Sequence, residues 1–188
     1  MNYLIWAFAF GIFLGFLKYV IKPMVKGAIG EKIVSARLSG LPPDEYILMN
    51  DVMLSGEGKS TQIDHVLLSI YGIFVIETKN YKGRIYGSEY ADQWMQNIHG
   101  HKNQFRNPLK QNYGHVMALI NLLGLPKNSF VPVVVFSGQA TLKIKTKQPV
   151  IYMNQIRKFE GNFNLQVQLG YLVDVIMIWF QKEMDKNN

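Results

Sequence analysis

The sequence contains no cysteine. Disulfide scaffolds, thiolate zinc sites, iron–sulfur clusters and cysteine nucleophiles are therefore excluded. A catalytic metal here is expected to be oxygen-liganded, which favours Mg²⁺ or Mn²⁺ over structural zinc. The chain also lacks a GxxxxGK[ST] phosphate loop, a Gly-rich dinucleotide fingerprint, internal repeats and low-complexity tracts. Acidic side chains are scarce, 13 against 20 basic ones, and the first is Glu31. The net charge of +7 points to an anionic partner, either nucleic acid or an acidic membrane surface. With 48% hydrophobic and 18% charged residues the chain is not of the disordered class. Its 188 residues suit one ordinary domain plus an appendage.

The appendage is at the amino end. Tyr3 to Ile21 is apolar apart from Lys18, and residues 1–17 carry no charged side chain. A bilayer core takes about 20 apolar residues, with roughly 17 as the lower limit. There is no basic start and no A-x-A-like cleavage site, which argues against a secretory signal. A single transmembrane helix within residues 1–22 is the expectation. Lys18, Lys22 and Lys26 on its carboxyl flank place the following domain, residues 27–188, in the cytoplasm. These three lysines also account for part of the net charge.

Beyond Gly27 the pattern alternates between helical and extended signals. A helix is expected over Gly30–Leu38, ended by Leu41-Pro42-Pro43. Strands are expected over Tyr46–Leu54, Gln62–Ile70 and Ile73–Lys79, with a turn at Ser55–Lys59 and a short strand at Arg84–Tyr86. Asn107-Pro108 reads as N-cap and first helical position of a helix that stops at Gly124. Val131–Phe136 and Pro149–Met153 read as strands, and Leu165–Lys182 as a closing helix. Interleaved elements of this kind predict an α/β domain built on a mixed sheet.

The chemistry concentrates in Gln62-Ile63-Asp64-His65-Val66 and Phe74-Val75-Ile76-Glu77-Thr78-Lys79. A carboxylate in such apolar strands is costly unless it is paired or binds a metal. A two-residue turn at Ile70-Tyr71 places Asp64 opposite Glu77; the turn shifted by one residue places it opposite Lys79. In both registers Asp64, Glu77 and Lys79 share a face, whereas a three-residue turn would separate them. Opposed Cβ atoms lie about 4.5–5.5 Å apart, so two carboxylates there repel unless a divalent cation lies between them. Such a cation polarises a phosphate oxygen and lowers the pKa of bound water, and a neighbouring lysine can orient that water or stabilise the transition state. The chemistry implied is metal-dependent phosphodiester hydrolysis. A plain salt bridge between Glu77 and Lys79, with Asp64 capping a turn, is the competing reading.

Other residues carry weaker signals. Gln111 and His115 share a helix face at i, i+4. His65 points away from Asp64 in a regular strand and is expected to be buried and hydrogen-bonded. His99-Gly100-His101 reads as a solvated loop rather than a metal site. Lys102, Arg106 and Lys110, interleaved with Phe105, are candidates for phosphate contacts and base stacking. Lys143-Ile144-Lys145-Thr146-Lys147 reads either as a basic patch or as a charged sheet edge. Tyr81, Tyr86, Tyr90 and Trp94 are expected in packing.

Taken in order, these blocks resemble a known family. Gly30-Glu31, Gln62 to Val66, Gly72 to Asn80, Tyr81-Lys82-Gly83, Gly87, Trp94 and Asn107-Pro108-Leu109-Lys110-Gln111-Asn112 look like the nuclease-related domain (NERD). The resemblance covers roughly Gly27 to Gly124. It implies a restriction-endonuclease-like core distantly similar to PD-(D/E)XK nucleases, with a mixed β-sheet flanked by helices. It also implies that Asp64 and Glu77 are metal ligands, that Glu31 is a further acidic residue near the metal, and that Lys79 is the catalytic lysine. Gln111 would lie on the helix lining the site. Some related nucleases have a tyrosine four residues after that glutamine, where this chain has His115. The expectation is a membrane-anchored, Mg²⁺- or Mn²⁺-dependent nuclease acting on DNA ahead of RNA. The alternatives are a non-catalytic nucleic-acid-binding module or a protein-interaction module.

Overall fold

The computed structural model describes residues 2–16, 21–56, 59–69, 71–136 and 138–156. Two helices lead the chain, α1 (Asn2–Phe16) and α2 (Lys22–Leu38). Six strands follow: β1 (Tyr46–Gly56), β2 (Lys59–Ser69), β3 (Gly72–Lys79), β4 (Gly83–Ser88), β5 (Gln93–Ile98) and β6 (His101–Arg106). Then come α3 (Pro108–Leu123), β7 (Phe130–Phe136), β8 (Ala140–Lys145) and β9 (Val150–Tyr152). The expected closing helix, Leu165–Lys182, lies outside the described residues.

The central sheet has five strands in the order β1-β2-β3-β7-β9. Its first three strands are antiparallel, and β7 and β9 then run parallel to β3, so the sheet is mixed as expected. Among the described residues, one helix packs on each face. Val34 and Leu38 of α2 pack with Leu67, Phe74, Ile76, Val133 and Val135. Val116 and Leu119 of α3 pack with Ile63, Val66, Leu68, Ile73 and Val75 on the other face. Because both faces of β3 are covered, all its residues from Gly72 to Thr78 are buried. This explains its unbroken apolar character.

Three points differ from the expected organisation. First, the expected membrane helix over residues 1–22 is described only in part: α1 covers Asn2–Phe16, and residues 17–20 lie outside the described residues. No helix among the described residues is long and apolar enough to cross a membrane. Second, the helix expected over Gly30–Leu38 begins earlier, at Lys22. Pro23 occupies the first turn of α2, where its missing N–H costs nothing, and Gly27 lies inside that helix. Third, there is a second sheet, in the order β6-β5-β4-β8. It is built around buried Trp94, whose ring stacks on Phe136 at 6.5 Å between centroids. A Cβ at Gly87 would lie 2.4 Å from that indole, so glycine is required there by close packing.

The start of α3 follows its sequence signal. Asn107 caps the helix by accepting from the Leu109 N–H at 2.9 Å. Its amide nitrogen also donates to the Ser88, Glu89 and Ala91 carbonyls. One fully buried side chain thus ties α3 to the second sheet. Gly124 closes the helix with φ +65°, the left-handed conformation glycine adopts freely.

Candidate functional site

Of the two expected β2–β3 registers, the structure takes the one that opposes Asp64 to Glu77 rather than to Lys79. Ser69 pairs with Gly72 and the ladder runs to His65 opposite Ile76. Asp64 and Glu77 are the next opposed positions. The β1–β2 ladder pairs Asn50 with His65 and Val52 with Ile63 but skips Asp51 and Asp64. Asp51 takes φ +53°, a left-handed conformation that aspartate tolerates better than most residues. The side-chain alternation shifts there. Met49 and Val52, three residues apart, both meet the α3 core, and so do Ile63 and Val66. Asp64 sits at this interruption, where its Oδ2 accepts the Thr78 N–H at 2.7 Å.

Glu77 is almost fully buried, at 1% exposure. Both its oxygens are engaged. Oε1 accepts from Lys79 Nζ at 2.5 Å, and Oε2 is 3.2 Å from His115 Nε2. Lys79 Nζ also donates to Gln111 Oε1 at 3.2 Å. His115 Nδ1 lies 3.0 Å from Thr61 Oγ1. A carboxylate only accepts, so Nε2 carries the proton toward Glu77; in the neutral ring, Nδ1 then accepts from the Thr61 hydroxyl. Asn112, buried on the same helix, donates to the Val75 and Val133 carbonyls at 2.9 and 3.1 Å. It pins α3 to β3 and β7 and so fixes where Gln111 and His115 stand.

Glu31 comes from α2, on the opposite face of the sheet, yet it lines the same cavity of about 760 Å³ as Asp64, Glu77, Lys79 and Gln111. Asn80 ties α2 to the end of β3 by donating to the Lys26 carbonyl at 2.7 Å. The electrostatics show carboxylates crowded together. Burial, then the charge of Glu77, pushes the Asp64 carboxyl up to about 7, against the opposing hydrogen bond from Thr78. Glu31 is raised by burial and by Asp51 and Glu77. The donor set therefore suits a hard divalent cation, which would relieve this repulsion. Among the described residues, however, no three His, Asp or Glu side chains converge as a ready-made ion cage.

The five residues expected at the site, Asp64, Glu77, Lys79, Glu31 and Gln111, are thus brought together. The basic trio is not. Lys110 pairs with exposed Asp92, Lys102 lies on the exposed β6 edge, and Arg106 lines a neighbouring cavity. Phe105 packs against Tyr81 at 4.5 Å and Trp94 at 6.3 Å, so its ring is committed to packing rather than base stacking. Tyr81 and Trp94 pack as expected, whereas Tyr90 is 85% exposed. His99 sits in the β5–β6 turn at φ +49°. Lys143 and Lys145 are exposed on the edge strand β8, the charged-edge arrangement. His65 is buried and its Nδ1 lies 2.7 Å from Asn50 Oδ1. Thr61 carried no signal in the sequence, and Asn112 appeared only as the last residue of the family-like block Asn107–Asn112. The clues to His115 were its i, i+4 spacing from Gln111 and its place where some related nucleases have a tyrosine.

Comparison with known proteins agrees with this arrangement. The family model for the nuclease-related domain (NERD) matches residues 26–137, more than half of the chain. The chain belongs to that family. It is also 41% identical over 143 residues to an uncharacterized protein of Bacillus anthracis, covering 72% of this chain and 66% of the relative. The chain thus spans just under two thirds of that relative's length. No solved structure matches it significantly.

Proposed function

We propose that the chain hydrolyses phosphodiester bonds of nucleic acid, DNA ahead of RNA, in a Mg²⁺- or Mn²⁺-dependent reaction. The observation that carries this reading is the gathering of Asp64, Glu77, Lys79 and Gln111 in one cavity with Glu31. Asp64 and Glu77 would hold the ion, with Glu31 as the further acidic group. When bound, a divalent ion neutralises the carboxylates and polarises a phosphate oxygen. The chain's own groups do the rest. The Thr78 N–H holds Asp64 in place. His115 fixes one oxygen of Glu77, and Lys79 Nζ, which holds the other, would give it up to the ion. Gln111 steadies the Lys79 ammonium, which donates to phosphate as negative charge grows in the transition state.

The test is incubation of the full chain with labelled DNA or RNA and Mg²⁺ or Mn²⁺. Cleavage that stops with EDTA and resumes when the ion is restored is expected. A second reading, a non-catalytic nucleic-acid-binding or protein-interaction module, is favoured by one observation: Lys79 and His115 already occupy both oxygens of Glu77. Salt-dependent binding without turnover, indifferent to chelator, would sink the nuclease reading in favour of that one.

We further propose that the amino-terminal helices hold the domain at a membrane, on its cytoplasmic side. What supports this is the charge-free composition of α1 and the exposure of Ile5, Trp6, Phe8 and Phe10. Co-sedimentation with anionic vesicles that is lost in the Trp6→Ser/Phe10→Ser double variant is expected; equal sedimentation of both would refute it.

A further inference from the structure

A second cavity of about 620 Å³ adjoins the first. Gln111 lines both cavities, and His115, which holds Glu77 in the first, lines the second. The two differ in charge. The first contains Glu31, Asp64 and Glu77. The second has no acidic residue among its described lining; Arg106 stands in its wall, with the hydroxyls of Ser60 and Thr61 and the apolar side chains of Leu54 and Leu122. Arg106 is exposed and sits at the end of β6, immediately before the helix cap.

A nucleic-acid strand repeats an anionic phosphate and a largely apolar sugar and base. A carboxylate-lined cavity repels the phosphate until a cation is present. A cavity with an arginine, the Ser60 hydroxyl and apolar side chains, and without carboxylates in its described lining, matches both parts of that repeat directly. We propose that this second cavity binds the nucleotide next to the scissile phosphate. Arg106 contacts its phosphate, and Leu54 and Leu122 pack against its sugar and base. Gln111 marks the step from the binding cavity to the reacting one. This inference rests on the nuclease reading of the first cavity and extends it to a strand-binding subsite.

Two variants of the full chain test it, read by fluorescence anisotropy of a labelled single-stranded oligonucleotide in EDTA, where no turnover occurs. Arg106→Glu reverses the charge on an exposed strand end. Ala118→Trp fills the cavity from the half-buried face of α3. Each is expected to weaken binding about tenfold or more. Arg106→Glu should also reduce the slope of log affinity against log salt by about one, and Ala118→Trp should leave that slope unchanged. Wild-type affinity in both variants, with unchanged urea midpoints, overturns the proposal. So does an unchanged salt slope in Arg106→Glu, which would remove the phosphate contact. The two readings fail separately. Cleavage by Ala118→Trp at wild-type affinity sinks the second cavity alone. A wild-type chain that binds through Arg106 but never cleaves sinks the nuclease reading alone.

Discussion

Asp64→Asn is expected to stabilise the metal-free protein at pH 8 while removing its response to divalent ions. Asp64 is pushed from 3.8 up to about 7 by burial and by Glu77 across the strand. The folded state therefore holds this proton more tightly than the unfolded chain does. Its favourable contribution is complete below about pH 4 and is lost as pH rises to about 7. At 1.36 kcal/mol per unit, a shift of this size sets an upper bound of about 4 kcal/mol, and about 2–4 kcal/mol is the expected gain at pH 8. Asparagine keeps an oxygen for the Thr78 N–H but carries no charge. Wild type should recover the difference when Mn²⁺ is added, by mass action on the folded state, and Asp64→Asn should not. The readout is the urea midpoint at pH 8 with EDTA and with Mn²⁺. A metal-free variant less stable than wild type would show that no carboxylate repulsion is stored at the site.

The same variant should expose a second titration. Burial pushes His65 down to about 4. Its contribution runs the other way: stability rises with pH between about 4 and 6.5 as the unfolded chain gives up its proton. In wild type the Asp64 and His65 slopes oppose each other over that interval. In Asp64→Asn the His65 slope should remain, and a profile still flat between pH 4 and 6.5 would contradict this account.

Glu77→Gln and Lys79→Met are each expected to lower cleavage by at least about a thousandfold. Their stabilities should differ. Lys79→Met leaves a carboxylate that is 1% exposed without its cation, which costs about 3–5 kcal/mol for a buried pair. The Glu77→Gln/Lys79→Met double variant removes both charges and should regain most of that stability without regaining activity. Such a cycle separates chemistry from folding. His115→Phe removes the bond to Glu77 but not the carboxylate, so a smaller loss, of order tenfold to a hundredfold, is expected, with partial rescue by His115→Gln. Full activity in Lys79→Met would remove the lysine from the mechanism.

The elements that set the site were legible because strong local signals coincide there. Apolar β2 and β3 at hairpin distance narrowed the pairing to two registers, of which the structure takes the one that opposes Asp64 to Glu77, and Asn107-Pro108 marked the start of α3. The second sheet was not legible. β4 contains two glycines, and β6 is exposed along nearly its whole length, so neither shows a clear alternating apolar face. What forms that sheet is packing around Trp94 and Phe136, which no local window reveals. Glu31 reaches Asp64 only because α2 covers the far face of the sheet and meets the cavity at the end of β3, a tertiary arrangement that the family resemblance anticipated and the spacing did not. His115 looked like one more polar residue on a helix face until Thr61 and Glu77 closed around it. The face shift at Asp51 breaks the period-two rule and leaves no trace in composition.

The claim that matters most is that Asp64 and Glu77 share a divalent ion. Anomalous diffraction at the manganese edge, from crystals of the full chain grown with Mn²⁺, tests it directly. A peak within coordination distance of both carboxylates, with Lys79 released from Glu77, is the expected result. A chain that cleaves nucleic acid in those same conditions but shows no peak at either carboxylate would contradict it.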